Sequence, residues 1–352
     1  MDQAKLFSGR AFIFQTPKDD SAFEKILADK IFHNLPKPIK IKRLELLYSA
    51  ENFDCYEAVS SDRFYNLKIS FSEESLAFKK EADNLQLIKN QIAPKYVDYG
   101  QIKVGETITY LITSQEQSHV VSDLGRNFLI QNFSSFLASW KKLLENKPAK
   151  YKLTDNTSSL FSRLEIKETF FDDAYEAVSE NIDLNKVNSL FDKIKQQMSS
   201  IYDTSVLESS YFCHGSLGLE NILYREGAFK LRDFSKSFSG HYFLDLSHLL
   251  LQLGVKGSDK KILIKKYCDY MGFDLDRNEY KTCEKINILI LLCELIINYF
   301  IEIYIFESSR PLELCKIAAL YVQNFDQFCR FDFFSDYKSF LTKNITYPII
   351  GV

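Results

Sequence analysis

Between Cys213 and Leu250 the chain reads CHGSLGLENILYREGAFKLRDFSKSFSGHYFLDLSHLL, and no other stretch restricts the fold so tightly. Two short apolar runs, residues 222–224 and 229–231, flank Glu226-Gly227. Such runs joined at a glycine-containing turn predict a β-hairpin. A hairpin sets the residue entering its first strand beside the one leaving its second, so Asn221 and Asp233 become neighbours in space. An amide and a carboxylate are hard oxygen ligands, of the kind that hold Mg²⁺ on a phosphate chain.

These residues resemble the signature of the aminoglycoside phosphotransferase and choline kinase superfamily, the small-molecule branch of the protein-kinase-like fold. That signature runs His-Gly-Asp, four residues, Asn, a hairpin, then Asp at the head of a metal-binding loop. His214, Gly215, Asn221 and Asp233 match it, and Asp245-Leu246 fits the family's structural Asp, which steadies the catalytic loop from beneath. The chain departs from it at Ser216, which stands where the family has its catalytic-base Asp. A serine hydroxyl is a very poor proton acceptor near neutral pH.

The resemblance covers about residues 39–330 and implies an α+β, two-lobe, protein-kinase-like fold. A small antiparallel β-sheet lobe with one main helix is expected over residues 39–116, after an N-terminal extension at 1–38. A larger, mostly helical lobe follows over 117–352 and carries the catalytic hairpin within 211–245.

The β-like texture from residue 39 agrees, with runs at 41–48, 55–59 and 63–71. Period-two alternation in the third run puts Leu67, Ile69 and Phe71 on one face and Lys68 on the other. A helix is predicted from Ser72, with Leu76, Leu85 and Ile88 supplying much of its apolar face. The resemblance makes Lys68 the holder of the nucleotide phosphates and Glu81, about two turns into that helix, its partner. It also puts Asn52 in the phosphate-covering loop, which here contains no glycine, and Ser114 and Gln115 in the hinge that meets an adenine edge. His214, Ser216 and Glu220 form the catalytic set: His214 as loop scaffold, Ser216 as a hydrogen-bonding partner of an acceptor hydroxyl, Glu220 as a stand-in for the base. Asn221 and Asp233 are the expected Mg²⁺ ligands.

Beyond the hinge the pattern turns helical, with Ser122 or Asp123 predicted to cap one helix running to Leu144. Further helices are expected over 160–179, 184–202, 258–271, 280–306, 311–328 and 335–342. The apolar segment 288–306 carries Glu294, Asn298 and Glu302 at every fourth position, a polar stripe that suits a core helix beside a groove better than a membrane span.

Composition narrows the function classes. The chain has 352 residues, 46% of them hydrophobic, enough for a large core or two lobes. A net charge of −3 gives no general attraction to nucleic acid or to anionic membrane. Seven cysteines with no Cys-x-x-Cys pair favour reduced thiols in a cytoplasmic protein over zinc or a disulfide framework. Two function classes follow from the resemblance. One is an ATP-dependent phosphotransferase-family protein acting on the hydroxyl of a small molecule, with catalysis impaired or atypical because of Ser216. The other is an inactive pseudokinase that binds nucleotide or a protein partner.

Overall fold

The structure is a computed structural model that describes residues 20–49, 53–71, 75–88, 92–115, 118–147, 149–152, 184–202 and 211–305. The chain forms two compact units, Met1–Lys150 with Leu219–Ser237, and Tyr151–Gly218 with Phe238–Val352.

The first unit is built on an antiparallel sheet of five strands: β1 (Arg43–Ser49), β2 (Asp54–Val59), β3 (Phe64–Ser70), β4 (Tyr96–Val104) and β5 (Glu106–Gln115). Their spatial order is β1-β2-β3-β5-β4. Alternation decides which face is which. Tyr65, Leu67 and Ile69 of β3 are buried in one cluster with Tyr56 and Ala58 of β2 and Ile108 and Ile112 of β5. Helix α1 (Asp20–Leu27) and the π-helical turn after it (Ala28–Phe32) cover this face with Leu27, Ile31 and Phe32. Each Leu, Ile or Phe side chain so withdrawn from water contributes about 1.5–3 kcal/mol. A one-residue slip of β3 would reverse the arrangement and bury Lys68 among them.

Helix α2 (Leu76–Leu87) belongs to the opposite face, where Phe78 and Ala82 pack on Leu111 of β5. Its cap is Ser75, whose hydroxyl accepts the Phe78 N–H at 3.4 Å, so the helix starts later than the predicted Ser72. Serine three residues before a helical N–H satisfies a donor that the first turn leaves open.

After the two-residue strand β6 (His119–Val120), the single helix expected up to Leu144 is broken into three: α3 (Val121–Leu124), α4 (Arg126–Gln131) and α5 (Phe133–Leu144). Neither Ser122 nor Asp123 caps it, since the residue before α3 is Val120 and makes no side-chain cap bond. Gly125, with φ 83°, is the first break. A right-handed helix cannot run through a residue at positive φ, and glycine adopts that conformation at little cost.

The hairpin predicted around Glu226-Gly227 is present, with strands Ile222–Arg225 and Ala228–Leu231 and β6 paired to the first of them. Both turn residues have positive φ, 50° at Glu226 and 85° at Gly227, as a two-residue type I′ turn requires. Ile222, Phe229 and Leu231 are buried. Phe229 meets the Phe136 ring of α5 edge-on at 5.6 Å, and its N–H is donated to the Ser139 hydroxyl.

The second unit contains α6 (Leu184–Tyr202), a ribbon of Tyr211–Cys213 with Phe238–Gly240, then α7 (Phe243–Gln252), α8 (Gly257–Met271) and α9 (Arg277–Ile305). All but the last residue of α7 are buried, so it is the central helix of its unit. Asn287 of α9 fastens to it by donating to the Leu244 carbonyl and the Ser247 hydroxyl, both at 2.6 Å. The stripe positions 294, 298 and 302 lie on the backbone of α9. Among the described residues no helix is long and apolar enough to cross a membrane. The helices expected at 160–179, 311–328 and 335–342 lie outside the described residues.

Candidate functional site

In the first unit, period-two alternation turns Lys68 to the face of the sheet that α2 covers, and its ammonium meets a carboxylate from that helix. Nζ lies 2.7 Å from Glu81 Oε2 and 3.7 Å from Asp233 Oδ1. The Phe53 ring, at the head of β2, stands 5.4 Å from the same ammonium and packs edge-on against Phe78. Burial raises the Glu81 carboxyl above its ordinary value, and the Lys68 charge pulls the other way.

Asn221 and Asp233 occupy the open end of the hairpin. The ladder continues one step past Ile222↔Leu231, because the Arg232 N–H is donated to the Asn221 carbonyl at 3.0 Å. The Arg232 Nε–H is donated to the Glu220 carbonyl at 2.9 Å, so a second bond fastens the short 3₁₀ turn Leu219–Asn221 beside the strand end. Asp233 takes a left-handed backbone with φ 61°. A non-glycine residue there stores about 1–3 kcal/mol of strain, though Asp tolerates it better than most. Its Oδ1 accepts the Ser235 hydroxyl at 2.7 Å and the Ser235 N–H at 3.4 Å. Among the described residues no group of three or more His, Cys, Asp or Glu side chains is placed to hold a metal. One carboxylate and one amide suit Mg²⁺, which keeps waters and phosphate oxygens as its other ligands, better than a cation needing an all-protein cage.

The second unit holds His214 and Ser216. Asp245, in the first turn of α7, accepts the His214 N–H at 2.6 Å and the Gly215 N–H at 2.9 Å. Two backbone donors on one buried carboxylate hold this loop from below. Burial pushes the Asp245 carboxyl up, while His214 and the two N–H donors oppose it. The His214 ring is fully buried, and its Nδ1 accepts the Ser216 N–H at 3.4 Å, a bond between neighbours in the loop.

Of the other predicted residues, Glu220 is exposed. Ser114 is engaged within the sheet: its N–H is donated to the Lys95 carbonyl, and its hydroxyl accepts the Lys95 N–H, each at 2.8 Å. Asn52 lies outside the described residues, and only the backbone of Gln115 is described. Two residues near the Lys68 ammonium and the Asp233 turn have no motif that announces them. One is Phe53. The other is Asn84, whose amide reaches the backbone of the loop after Asp233; Lys80 and Glu81 share the buried side of α2 with it, so no break in an apolar stripe marks it in the sequence.

No family model matches the chain, and no curated protein matches it in sequence. Solved structures do match it. A thermostable mutant of aminoglycoside phosphotransferase APH(4)-Ia, in ternary complex with ADP and hygromycin B, superimposes with a TM-score of 0.52 and 13% identity, covering 93% of this chain and 99% of that one. The choline kinase LicA from Streptococcus pneumoniae gives a TM-score of 0.55 and 14% identity over 93% of this chain and 99% of its own. A choline/ethanolamine kinase family protein from Mesorhizobium loti gives 0.54 and 13% over 90% and 99%. The chain therefore shares its fold with these aminoglycoside phosphotransferase and choline kinase structures.

Proposed function

We propose that the chain is an ATP-dependent phosphotransferase-family protein acting on the hydroxyl of a small molecule, with catalysis slowed by the absence of the usual base. The observation that carries this reading is the convergence on Lys68: Nζ is 2.7 Å from Glu81 and 3.7 Å from Asp233 within one compact unit. Such a cation, aimed by one carboxylate and set beside another on a metal-binding turn, suits the negative charge of a polyphosphate. Proteins of similar fold have been solved with adenine nucleotides: APH(4)-Ia with ADP and hygromycin B, and LicA with AMP.

On this reading Lys68 binds phosphate oxygens, Glu81 orients Lys68, and Asn221 with Asp233 would hold Mg²⁺. When bound, that ion offsets charge on the phosphate chain. Asp245 keeps the His214-Gly215 backbone in place, and His214 is scaffold. Ser216 hydrogen-bonds the acceptor hydroxyl without taking its proton; Glu220 is the remaining carboxylate of the catalytic set. Phosphoryl transfer relies chiefly on positioning and charge neutralisation, so loss of the base slows it by about 10²- to 10⁴-fold without abolishing it. Four cysteines among the described residues are buried free thiols, in keeping with a reducing, cytoplasmic setting.

Ser216 also supports a second reading, a pseudokinase that binds nucleotide or a protein partner without turnover. Thermal-shift titration with ATP and Mg²⁺, paired with phosphate-transfer assays, separates the two. Slow turnover by the wild type that disappears in Asp233→Ala supports the enzyme. Nucleotide stabilisation without turnover, with turnover appearing only in Ser216→Asp, assigns the pseudokinase. Failure of ATP to stabilise the protein at all removes both nucleotide readings.

A further inference from the structure

Asn84 follows Glu81 by one helical turn on α2 and is completely buried, 0% exposed. Asparagine is a weak helix former, and burying an amide is unfavourable unless its hydrogen bonds are made. Here Nδ2 is donated to two backbone carbonyls, Phe234 at 3.2 Å and Ser237 at 3.3 Å. Oδ1 meets no hydrogen-bond partner among the described residues. An apolar side chain of similar size would carry no such stranded acceptor, so what this position supplies is the pair of donors.

The loop they grip opens at the left-handed Asp233 and closes on itself through the Ser237 N–H donated to the Phe234 carbonyl at 3.2 Å. Inside it, Ser235 is bonded to the Asp233 carboxylate. A strained residue persists where its surroundings over-determine it. Bonds from a rigid helix to two carbonyls, one and four residues beyond Asp233, provide that constraint.

We infer that Asn84 is a positioning residue that fixes the loop after Asp233 and so presents the Asp233 carboxylate, beside Lys68, to a metal-bound polyphosphate. One helix then aligns both halves of the site, with Glu81 setting the lysine and Asn84 setting the metal-binding turn. The inference rests on reading Asp233 as a metal ligand to a bound nucleotide.

The full chain, as wild type, Asn84→Leu and Asn84→Ser, is titrated with ADP by calorimetry, with and without MgCl₂. Amide hydrogen exchange of residues 234–237 is followed without ligand. Removing two bonds at the loop is expected to leave Mg²⁺-free ADP affinity within about twofold, to shrink the Mg²⁺-dependent gain roughly tenfold in Asn84→Leu, and to speed exchange in the loop. Asn84→Ser, which keeps a donor of shorter reach, is expected to lose less. An unchanged Mg²⁺-dependent gain in both folded variants overturns the inference. Failure of both variants to fold also overturns it, by reducing Asn84 to a packing role. A wild type that binds no ADP removes the nucleotide reading itself, whereas an ADP-binding wild type with unshifted variants removes only the role of Asn84.

Discussion

Replacing Lys68 by Met takes the cation from between two carboxylates while keeping most of the side-chain volume. The partner that matters for stability is Glu81, 2.7 Å away with only 4% of its side chain exposed. Stranding a buried charge in this way commonly costs about 3–5 kcal/mol. Glu81 has a less costly alternative, which is to take up a proton. From its ordinary value of 4.5, holding that proton at pH 7 costs about 3.4 kcal/mol, at about 1.4 kcal/mol per pH unit, and at pH 5 under about 1 kcal/mol. Those values cap the loss, and burial already raises Glu81 in the wild type, so part of the cost is present there too. The sign follows from the raised folded pKa: the contribution of Glu81 is fully present below 4.5 and declines as pH climbs toward the folded value. Lys68→Met is therefore expected to lose about 2–3 kcal/mol at pH 7 and under about 1 kcal/mol at pH 5. Urea unfolding followed by circular dichroism at pH 5, 6 and 7 measures this. The double variant Lys68→Met/Glu81→Leu should show no such pH dependence. Equal destabilisation of Lys68→Met at pH 5 and pH 7 would refute the reasoning.

Asp245→Asn turns one acceptor into a donor facing the His214 or Gly215 N–H; a loss of about 2–3 kcal/mol is expected, a fall in Tm of about 3–4 °C, readable by calorimetry. His241 is held below its ordinary 6.5 by burial, which outweighs Glu279 at 3.3 Å and the more distant Asp276, while its Nδ1 accepts the Phe243 N–H at 3.2 Å. With a lowered folded pKa, its contribution is present above pH 6.5 and lost as pH falls below it. Melting curves from pH 7.5 to 5 should show that decline in the wild type and a shallower one in His241→Gln. Glu226 occupies a left-handed turn position at φ 50° that asparagine adopts more readily; Glu226→Asn should raise the urea midpoint, by about 0.5–1 kcal/mol of stability.

Local signals carried much of this. The hairpin was legible because alternation and a Gly-containing turn are properties of a dozen adjacent residues, and the same alternation set Lys68 opposite Leu67 and Ile69. Glu81 was legible only through the family resemblance, since nothing within α2 marks one carboxylate among its polar residues. The long helix expected up to Leu144 shows the limit from the other side. Its apolar spacing continues across Gly125, and periodicity does not register the backbone angle that breaks it.

By itself, then, the sequence determined which residues form ribbon and sheet and which faces are apolar, because these depend on near neighbours along the chain. Only the tertiary structure decided that Asp233 lies 3.7 Å from Lys68, and that Asn84 donates to carbonyls 150 and 153 residues further on. Such contacts are set by how a helix packs on a sheet, and a hydrogen bond is sensitive to displacements of a few tenths of an ångström. Hydrophobic periodicity prescribes the face that packs but not the position at that resolution.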